Sequence, residues 1–505
     1  MLKNKFKVLF IYPNVTTGYT FSPAIEVLSS FLKQYGQVQT SLIHVNEKYG
    51  VPFKKNKIIN IVEKENPNLI AITATTFEYK EADIISRWIK ESEYDGLIVL
   101  GGIHATITPH DLKDSSFDAF CIGEGEKPLL ELINKIENKE SIYSTKSFWF
   151  KKSDKLIKNE IAHFYEDLND LPFHDFDIVN TSVLLDVRNG WLSISFSRGC
   201  PYNCKFCINP VLRKINNIGK KNMRSYLRIR DVDIVIEELL SLIRKYGDKI
   251  KVINLDDDLI LVHKNWLLDF CKRFEEEIYK KYGIKYVINT RVDIVTDELI
   301  KLFKTSGCHE LKIGVESGND ELRNDIVGKN LTREQIVKAF NIIRKYKVRT
   351  CAYFILGLPN ESEETISDTI GLLKEIKPTL TRMTFLQPYE GTYLYDYCKE
   401  HKLFKRYLPK DSFTESPLEF DLIDDTTLLY YKLLLPWHLN SDVDKRYKKL
   451  LDEFRNKDYD ELLNSNELVM KLDNNMSEFM EEENKDHFRY FTNNLYYYEY
   501  KEVNK

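Results

Sequence analysis

The stretch Ser197-Arg-Gly-Cys-Pro-Tyr-Asn-Cys-Lys-Phe-Cys207 sets three cysteines, Cys200, Cys204 and Cys207, in a C-x3-C-x2-C spacing within one loop. Soft thiolates this close together suit an iron–sulfur cluster, which normally takes four such ligands. With three local cysteines one iron keeps an open position. An open iron can bind and reduce a small molecule, whereas a closed one mostly carries electrons. A structural zinc site would want a second C-x2-C or H-x3-H pair, and none lies nearby. A buried-core reading conflicts with Gly199, Pro201 and Asn203, which are turn residues rather than the interior of a helix or strand.

Downstream of Leu192 the pattern alternates strand and helix through six units. The strands read as Leu192–Ser197, Lys251–Leu255, Tyr286–Thr290, Glu310–Val315, Thr350–Leu356 and Arg382–Leu386, with amphipathic helices between them. Six units rather than eight predict a partial (β/α)6 TIM-type barrel over residues 186–400, with its chemistry at the carboxyl ends of the strands. Polar residues fall at those ends in turn: Asp256-Asp257-Asp258, Arg291, Glu316-Ser317-Gly318, Gly357-Leu358-Pro359 and Gln387–Thr392. Adjacent carboxylates at a strand end need water, a cation or an ammonium, and a guanidinium suits a carboxylate.

Upstream, residues 1–137 carry near-continuous apolar strands (Lys7–Pro13, Thr40–Val45, Leu69–Thr75, Gly96–Gly102, Ala119–Gly123) alternating with helices. That pattern predicts a doubly wound parallel sheet, Rossmann-like, with ligands outside the carboxyl ends. Its ends are small or polar: Thr73, Thr75 and Thr76; Gly101, Gly102 and His104; Gly123, Glu124 and Gly125. Small residues admit a large flat ligand, and hydroxyls can bond its rim. No D-x-H-x2-G motif occurs, so no histidine is expected to ligate a metal from below. Residues 138–185 read as a linker with a hairpin turning at Ser153-Asp154, in which His174 is expected to be structural. Residues 401–505 read as a mainly helical extension on the substrate side, ending in the aromatic segment Asn493–Lys501, a strand or a docking tail.

The cysteine loop, including Phe206 before the last cysteine, resembles the signature of the radical S-adenosylmethionine (radical SAM) superfamily. The three strand ends before it resemble those of the superfamily's cobalamin-binding branch, over about residues 5–400. The resemblance implies a [4Fe–4S] cluster on Cys200, Cys204 and Cys207. It implies S-adenosylmethionine held by Phe206, Asp256, Asp257, Arg291, Glu316, Ser317, Gly357 and Pro359. It also implies cobalamin against Thr73, Thr75, Thr76, Gly101, Gly102, His104, Gly123, Glu124 and Gly125. The expected activity is cleavage of S-adenosylmethionine to the 5′-deoxyadenosyl radical, with cobalamin-dependent C-methylation of an unactivated carbon in a small molecule or peptide. Cyclisation, dehydration or rearrangement without methyl transfer is an alternative, and so is a non-catalytic cobalamin or redox sensor. An electron donor such as flavodoxin or ferredoxin is an expected partner.

Composition bounds the rest. The 505 residues suffice for several cores, and a formal charge of −4 gives no basic field for nucleic acid. No run is long and apolar enough to span a membrane and no signal pattern is evident, so the expectation is a cytoplasmic protein. Five further cysteines are scattered (Cys121, Cys271, Cys308, Cys351, Cys398), which is not a disulfide framework.

Overall fold

Runs of valine, leucine and isoleucine form β1 (Lys7–Tyr12), β2 (Gln39–His44), β3 (Leu69–Thr73), β4 (Leu97–Gly101) and β5 (Ala119–Cys121). They pair in parallel in the order β2-β1-β3-β4-β5. Successive side chains point to opposite faces, and both faces are apolar. Leu9, Ile11, Ile70 and Ile72 pack with Ile58 and Val62 of helix α2 (Lys55–Glu65) and Ala82, Ile85 and Ile89 of α3 (Tyr79–Lys90). Val8, Phe10, Ala71 and Val99 pack with Ile25 and Leu32 of α1 (Pro23–Tyr35) and Leu129 and Leu132 of α5 (Glu126–Glu137). A short helix, α4 (Ile103–Ile107), follows β4 directly.

The computed structural model describes residues 5–15, 22–48, 50–153, 155–406, 415–492 and 496–501, in two units: 1–201 with 209–258, and 202–208 with 259–505. One dividing point, 201/202, falls inside the cysteine loop, and another, 208/209, directly after it. In the first unit the expected hairpin forms from β6 (Phe148–Lys152) and β7 (Lys155–Lys158), although Asp154 of its turn lies outside the described residues. Rather than standing apart as a linker, it continues the sheet, because Phe148 and Phe150 join one apolar face while Trp149 packs on the other. The same unit holds β8 (Trp191–Ile194), the two-residue strands β9 (Ser197–Arg198) and β10 (Arg228–Ile229), and β11 (Val252–Leu255). β8 and β11 pair in parallel, and β9 and β10 form an antiparallel ribbon with Arg198 opposite Arg228.

In the second unit β12 (Lys285–Thr290), β13 (Cys308–Glu316), β14 (Arg349–Leu356) and β15 (Leu380–Phe385) are parallel neighbours. Helices 297–305, 333–345 and 363–376 alternate with them, started by Thr296, Thr332 and Ser362, whose hydroxyls accept from backbone N–H groups three residues on. β17 (Tyr496–Lys501) pairs antiparallel with β15, and β16 (His487–Thr492) pairs antiparallel with β17, so the aromatic segment is a strand over residues 496–501. Residues 493–495 lie outside the described set. Helices between 425 and 482 enclose a core around Trp437, Tyr447, Val469 and Met480. No helix among the described residues is long and apolar enough to cross a membrane.

Candidate functional site

The cysteine loop leaves β9 through Gly199, whose φ of +100° suits glycine and whose Cβ, if present, would lie 2.6 Å from the Tyr226 carbonyl. Arg213 donates from Nη1 to the Cys200 carbonyl at 2.7 Å. The second half of the loop is held within its own unit. Lys205 N–H donates to the Val327 carbonyl at 2.8 Å, and Leu394 N–H to the Lys205 carbonyl at 3.0 Å. Phe206 packs against Leu322, Val327, Leu358 and Leu394, and so anchors the loop through apolar burial.

Cys200, Cys204 and Cys207 form no disulfide and are half-exposed, whereas the other five cysteines, also outside any disulfide, are buried. Among the described residues no three metal-binding side chains converge on a single point. A [4Fe–4S] cluster does not need them to, since each of its cysteines ligates a different iron. Three accessible thiols on one loop therefore fit a cluster, and five buried ones do not.

Arg291, directly after β12, lies with its guanidinium 3.7 Å from the Tyr202 ring centroid and Nη1 3.8 Å from Cys204 Sγ. Its Nε donates to Asp293 at 3.1 Å and its Nη2 to the Lys329 carbonyl at 3.0 Å. The bidentate grip on a carboxylate expected of Arg291 is thus largely committed to protein partners. Lys329 in turn donates from Nζ to Glu316 Oε1 at 2.6 Å, a buried pair at the end of β13. Glu316 has φ +73°, strained for a side-chain-bearing residue, at a register break of β13 on β14. Ser317 is buried; its hydroxyl accepts from Asn319 N–H at 3.2 Å and its carbonyl from Arg323 Nη1 at 2.9 Å. Arg323, fully buried, also donates to the Leu331 carbonyl at 2.9 Å, so it organises the loop that delivers Lys329.

At the end of β14, Gly357 has φ +72° and Pro359 is buried. Asn360 adopts φ +66°, as its tolerance of left-handed backbone allows. The turn is held by buried Glu361, whose Oε2 accepts from Gly357 N–H and, at 3.3 Å, from Leu358 N–H. Burial pushes this carboxyl up to about 8, against the pull of those two donors.

The carboxylates after β11 divide their roles. Asp257 is 2% exposed and accepts from Phe196 N–H at 2.9 Å and Ser197 Oγ at 2.6 Å. Burial raises it to about 6, against the donors of Ser197 and Phe196. Through Oδ1 it fixes the entry to the cysteine loop. Asp256 is exposed, accepts from Asn254 Nδ2 at 2.5 Å, and keeps an accessible carboxylate.

A cavity of about 340 Å³ lies within the first unit at the carboxyl ends of β3, β4 and β5. Phe10, Ala71, Val99, Leu129 and Phe148 make it mostly apolar, and Thr73, Gly101, Gly102, Gly123, Glu124 and Gly125 line it. A Cβ on Gly101 would meet nothing within 4 Å, so that backbone opens on space. Gly102, at φ +91°, cannot carry one: its Cβ would lie 2.7 Å from the Ala74 carbonyl. Such an apolar slot, with glycine backbone at its mouth, fits an arm of a corrinoid. Three expected contacts are not on its wall. Thr75 N–H donates to Glu78 at 2.9 Å, Thr76 Oγ1 is buried, and His104 is buried against the Tyr79 ring at 3.8 Å with Nε2 3.3 Å from Asp111. His174 does line the cavity, with Nδ1 2.8 Å from Glu238.

Glu124, on the cavity wall, also pairs with the β9–β10 ribbon. Its carboxylate takes Arg198 at 2.9 Å, Arg228 at 2.8 and 3.0 Å and Tyr165 N–H at 2.8 Å, while Glu126 takes Arg198 at 2.5 Å. Burial works against the Glu124 charge, yet the two arginines hold its carboxyl down at about 2. The loop after β5 is thereby fastened to the ribbon that ends at Arg198, two residues before Cys200. Sequence reading missed Arg198, Arg228, Arg323, Lys329 and Glu361. Only Arg198, a charge within the loop signature, carried a local signal.

Comparison with known proteins agrees with this geometry. A model of the radical SAM superfamily matches residues 194–373, and one of the B12 binding domain matches residues 14–133. An uncharacterized methyltransferase of Pyrococcus horikoshii is 27% identical over 348 residues, 68% of this chain and 72% of its own. An anaerobic magnesium-protoporphyrin IX monomethyl ester cyclase of Rubrivivax gelatinosus is 28% identical over 408 residues, 76% of this chain and 68% of its own. Among solved structures, the radical S-adenosylmethionine methyltransferase TsrM from Kitasatospora setae, with cobalamin and a [4Fe–4S] cluster bound, superposes with TM-score 0.64 at 18% identity, covering 80% of this chain and 76% of its own. The cobalamin-dependent S-adenosylmethionine radical enzyme OxsB, with aqua-cobalamin and S-adenosylmethionine bound, gives 0.66 at 16%, covering 95% and 76%. At these identities the likeness is one of fold: a parallel-sheet B12 domain, a half-barrel of parallel strands and a helical C-terminus.

Proposed function

For a chain that carries a B12-binding domain followed by a radical SAM domain, we propose radical C-methylation of an unactivated carbon in a small molecule or peptide. The coarser statement is that the protein is a cobalamin-binding radical SAM enzyme related to methyltransferases and cyclases. One observation supports the finer reading: Glu124 and Glu126, beside the cavity, bond Arg198, which stands two residues before Cys200. The loop that borders the corrinoid slot is thus fastened by ion pairs to the ribbon from which the cluster loop starts, as suits an enzyme using both groups in one reaction.

The two cofactors, when bound, supply one-electron cleavage of S-adenosylmethionine and a transferable methyl group; the protein supplies position and exclusion of water. Cys200, Cys204 and Cys207 hold the cluster. Asp256, with its accessible carboxylate, would accept from the ammonium of S-adenosylmethionine. The turn Gly357–Pro359 would present backbone to the adenine, and Phe206, packed on Leu358 of that turn's cluster, would hold the cysteine loop beside it. Thr73, Gly101, Gly102, Gly123 and Gly125 take the corrinoid arm. A reducing cytoplasm and a flavodoxin- or ferredoxin-type donor suit such a cluster.

The test is anaerobic reconstitution with iron, sulfide and hydroxocobalamin, then reduction with S-adenosylmethionine. Cobalamin retained on desalting, with both 5′-deoxyadenosine and S-adenosylhomocysteine formed, is the expected result. Deoxyadenosine without S-adenosylhomocysteine would replace methyl transfer by another radical reaction, such as a cyclisation.

A further inference from the structure

Arg291 reaches toward the sulfur of one expected cluster ligand. Its Nη1 lies 3.8 Å from Cys204 Sγ. Its plane is set by Tyr202, which lies between Cys200 and Cys204 and stacks on it at 3.7 Å. Tyr202 OH donates to Asp293 Oδ2 at 3.2 Å, and Asp293 Oδ1 accepts from Arg291 Nε at 3.1 Å, which closes a triangle. With Nη2 donating to the Lys329 carbonyl at 3.0 Å and to Asp293 at 3.4 Å, only one of the five guanidinium hydrogens is uncommitted. The side chain is 9% exposed, so water screens this charge poorly.

We propose that Arg291 is a positioning residue that donates a hydrogen bond to the Cys204 sulfur and raises the reduction potential of the cluster bound there. The inference rests on the assignment of the cluster to Cys200, Cys204 and Cys207. Reduction adds an electron to the cluster and concentrates negative charge on its sulfurs. A cationic donor at one of them stabilises the reduced form more than the oxidised form, and hydrogen bonds to the sulfurs are a known means of setting such potentials. Guanidinium stays charged at every working pH and is flat enough to stack on Tyr202 while pointing one N–H at sulfur. A lysine ammonium has the charge but not the plane. The role also accounts for a basic residue at a strand end that has little of its fork left for a substrate carboxylate.

The experiment uses the full chain, reconstituted anaerobically with iron and sulfide and kept free of S-adenosylmethionine. Redox titration is followed by electron paramagnetic resonance of the reduced cluster in wild type, Arg291→Lys and Arg291→Met. In the methionine variant the ratio of reduced to oxidised cluster at a fixed potential should fall about tenfold, a midpoint about 59 mV lower for one electron. The lysine variant should fall between the two. Protein labelled with 15N in the arginine guanidinium gives the second readout. Pulsed spectra should show a 15N coupling in wild type that Arg291→Lys lacks, and a merely structural arginine would not produce it. Unchanged midpoints in both variants, or no 15N coupling in wild type, would overturn the proposal. If the methionine variant retains no cluster, the lysine midpoint and the label decide. A Cys204→Ser variant that keeps the wild-type cluster spectrum would instead defeat the ligand assignment, a separate outcome.

Discussion

Glu361 shows how one buried carboxyl can hold a functional turn and give it a pH signature. Its Oε2 accepts two backbone N–H groups from the Gly357 turn, and burial lifts it from 4.5 to about 8. The folded state therefore keeps a proton that the unfolded chain releases above about 4.5. Its contribution is complete below that pH and is lost progressively as pH rises toward 8. Glu26, also raised to about 8 by burial, acts with the same sign. Urea titrations at pH 5 and pH 8 should show wild type losing roughly 3 kcal/mol or more from these groups. Glu361→Gln, which keeps the acceptor oxygen and removes the proton equilibrium, should lose distinctly less. Equal losses in the two proteins would refute the assignment. Asp256 and Asp257 show what a linear reading cannot separate. Both stood as ligand contacts in an acidic triplet, but strand alternation turns Asp257 inward onto Ser197 and Asp256 outward. The sequence shows three like residues in a row and no sign of which one meets the backbone of Phe196 and Ser197, some sixty residues upstream.

The ends of strands β4 and β5 carry the argument at the scale of elements. Gly101 and Gly102 are adjacent, yet their environments predict opposite results. Alanine at 102 would be forced to φ +91° with its Cβ against the Ala74 carbonyl, and should cost about 2 kcal/mol or more in thermal or urea unfolding. Alanine at 101 meets no atom, so it should leave stability within about 0.5 kcal/mol of wild type. It should still reduce hydroxocobalamin retained on desalting, because its methyl enters the cavity. Retention unchanged in Gly101→Ala would remove that strand end from the corrinoid site. The ribbon β9–β10 makes a second case. Arg228→Met leaves Glu124 with one arginine in a mostly buried setting, and should cost about 3 kcal/mol in the cofactor-free protein. Made in a Glu124→Gln background, the same change should cost much less, and additive losses would show that the pair does not interact. The sheets themselves were legible: β1 to β5 and β12 to β15 begin or end within about three residues of the apolar runs that announced them. Long apolar strands leave few alternatives, since both faces must be buried. The ion pairs were not legible, because Glu124 and Arg198 are brought together only by folding over a long sequence separation.

At the scale of the molecule, the strand ends proposed for cobalamin and the turns proposed for S-adenosylmethionine at Glu316 and Gly357 lie in different stretches of chain, which makes their effects separable by amide hydrogen exchange. The cavity belongs to residues of the first unit, at the ends of β3, β4 and β5. The Arg291, Lys329, Glu316 and Gly357 constellation belongs to the second. What the sequence conveyed at this scale was the order of the two chemistries along the chain. It did not convey that the hairpin 148–158 would extend the first sheet, or that the tail would pair with β15 as a strand, since edge pairing depends on a partner far away in sequence. Ligand binding raises the free energy of local opening where contacts form, so exchange slows there first. Hydroxocobalamin added to the cluster-free protein should slow exchange at residues 101–107 and 123–126, and leave 316–331 and 357–361 near their starting rates. S-adenosylmethionine added to the cluster-loaded, cobalamin-free protein should do the reverse, with protection largest across the strained turn at Glu316 and the turn backed by Glu361. Protection of 101–126 by S-adenosylmethionine alone would bring its binding surface to the ends of β4 and β5, against the assignment of Glu316 and Gly357. Absence of any hydroxocobalamin effect on 101–126 would mean that the apolar slot serves another ligand, and methyl transfer would lose its structural support in this chain.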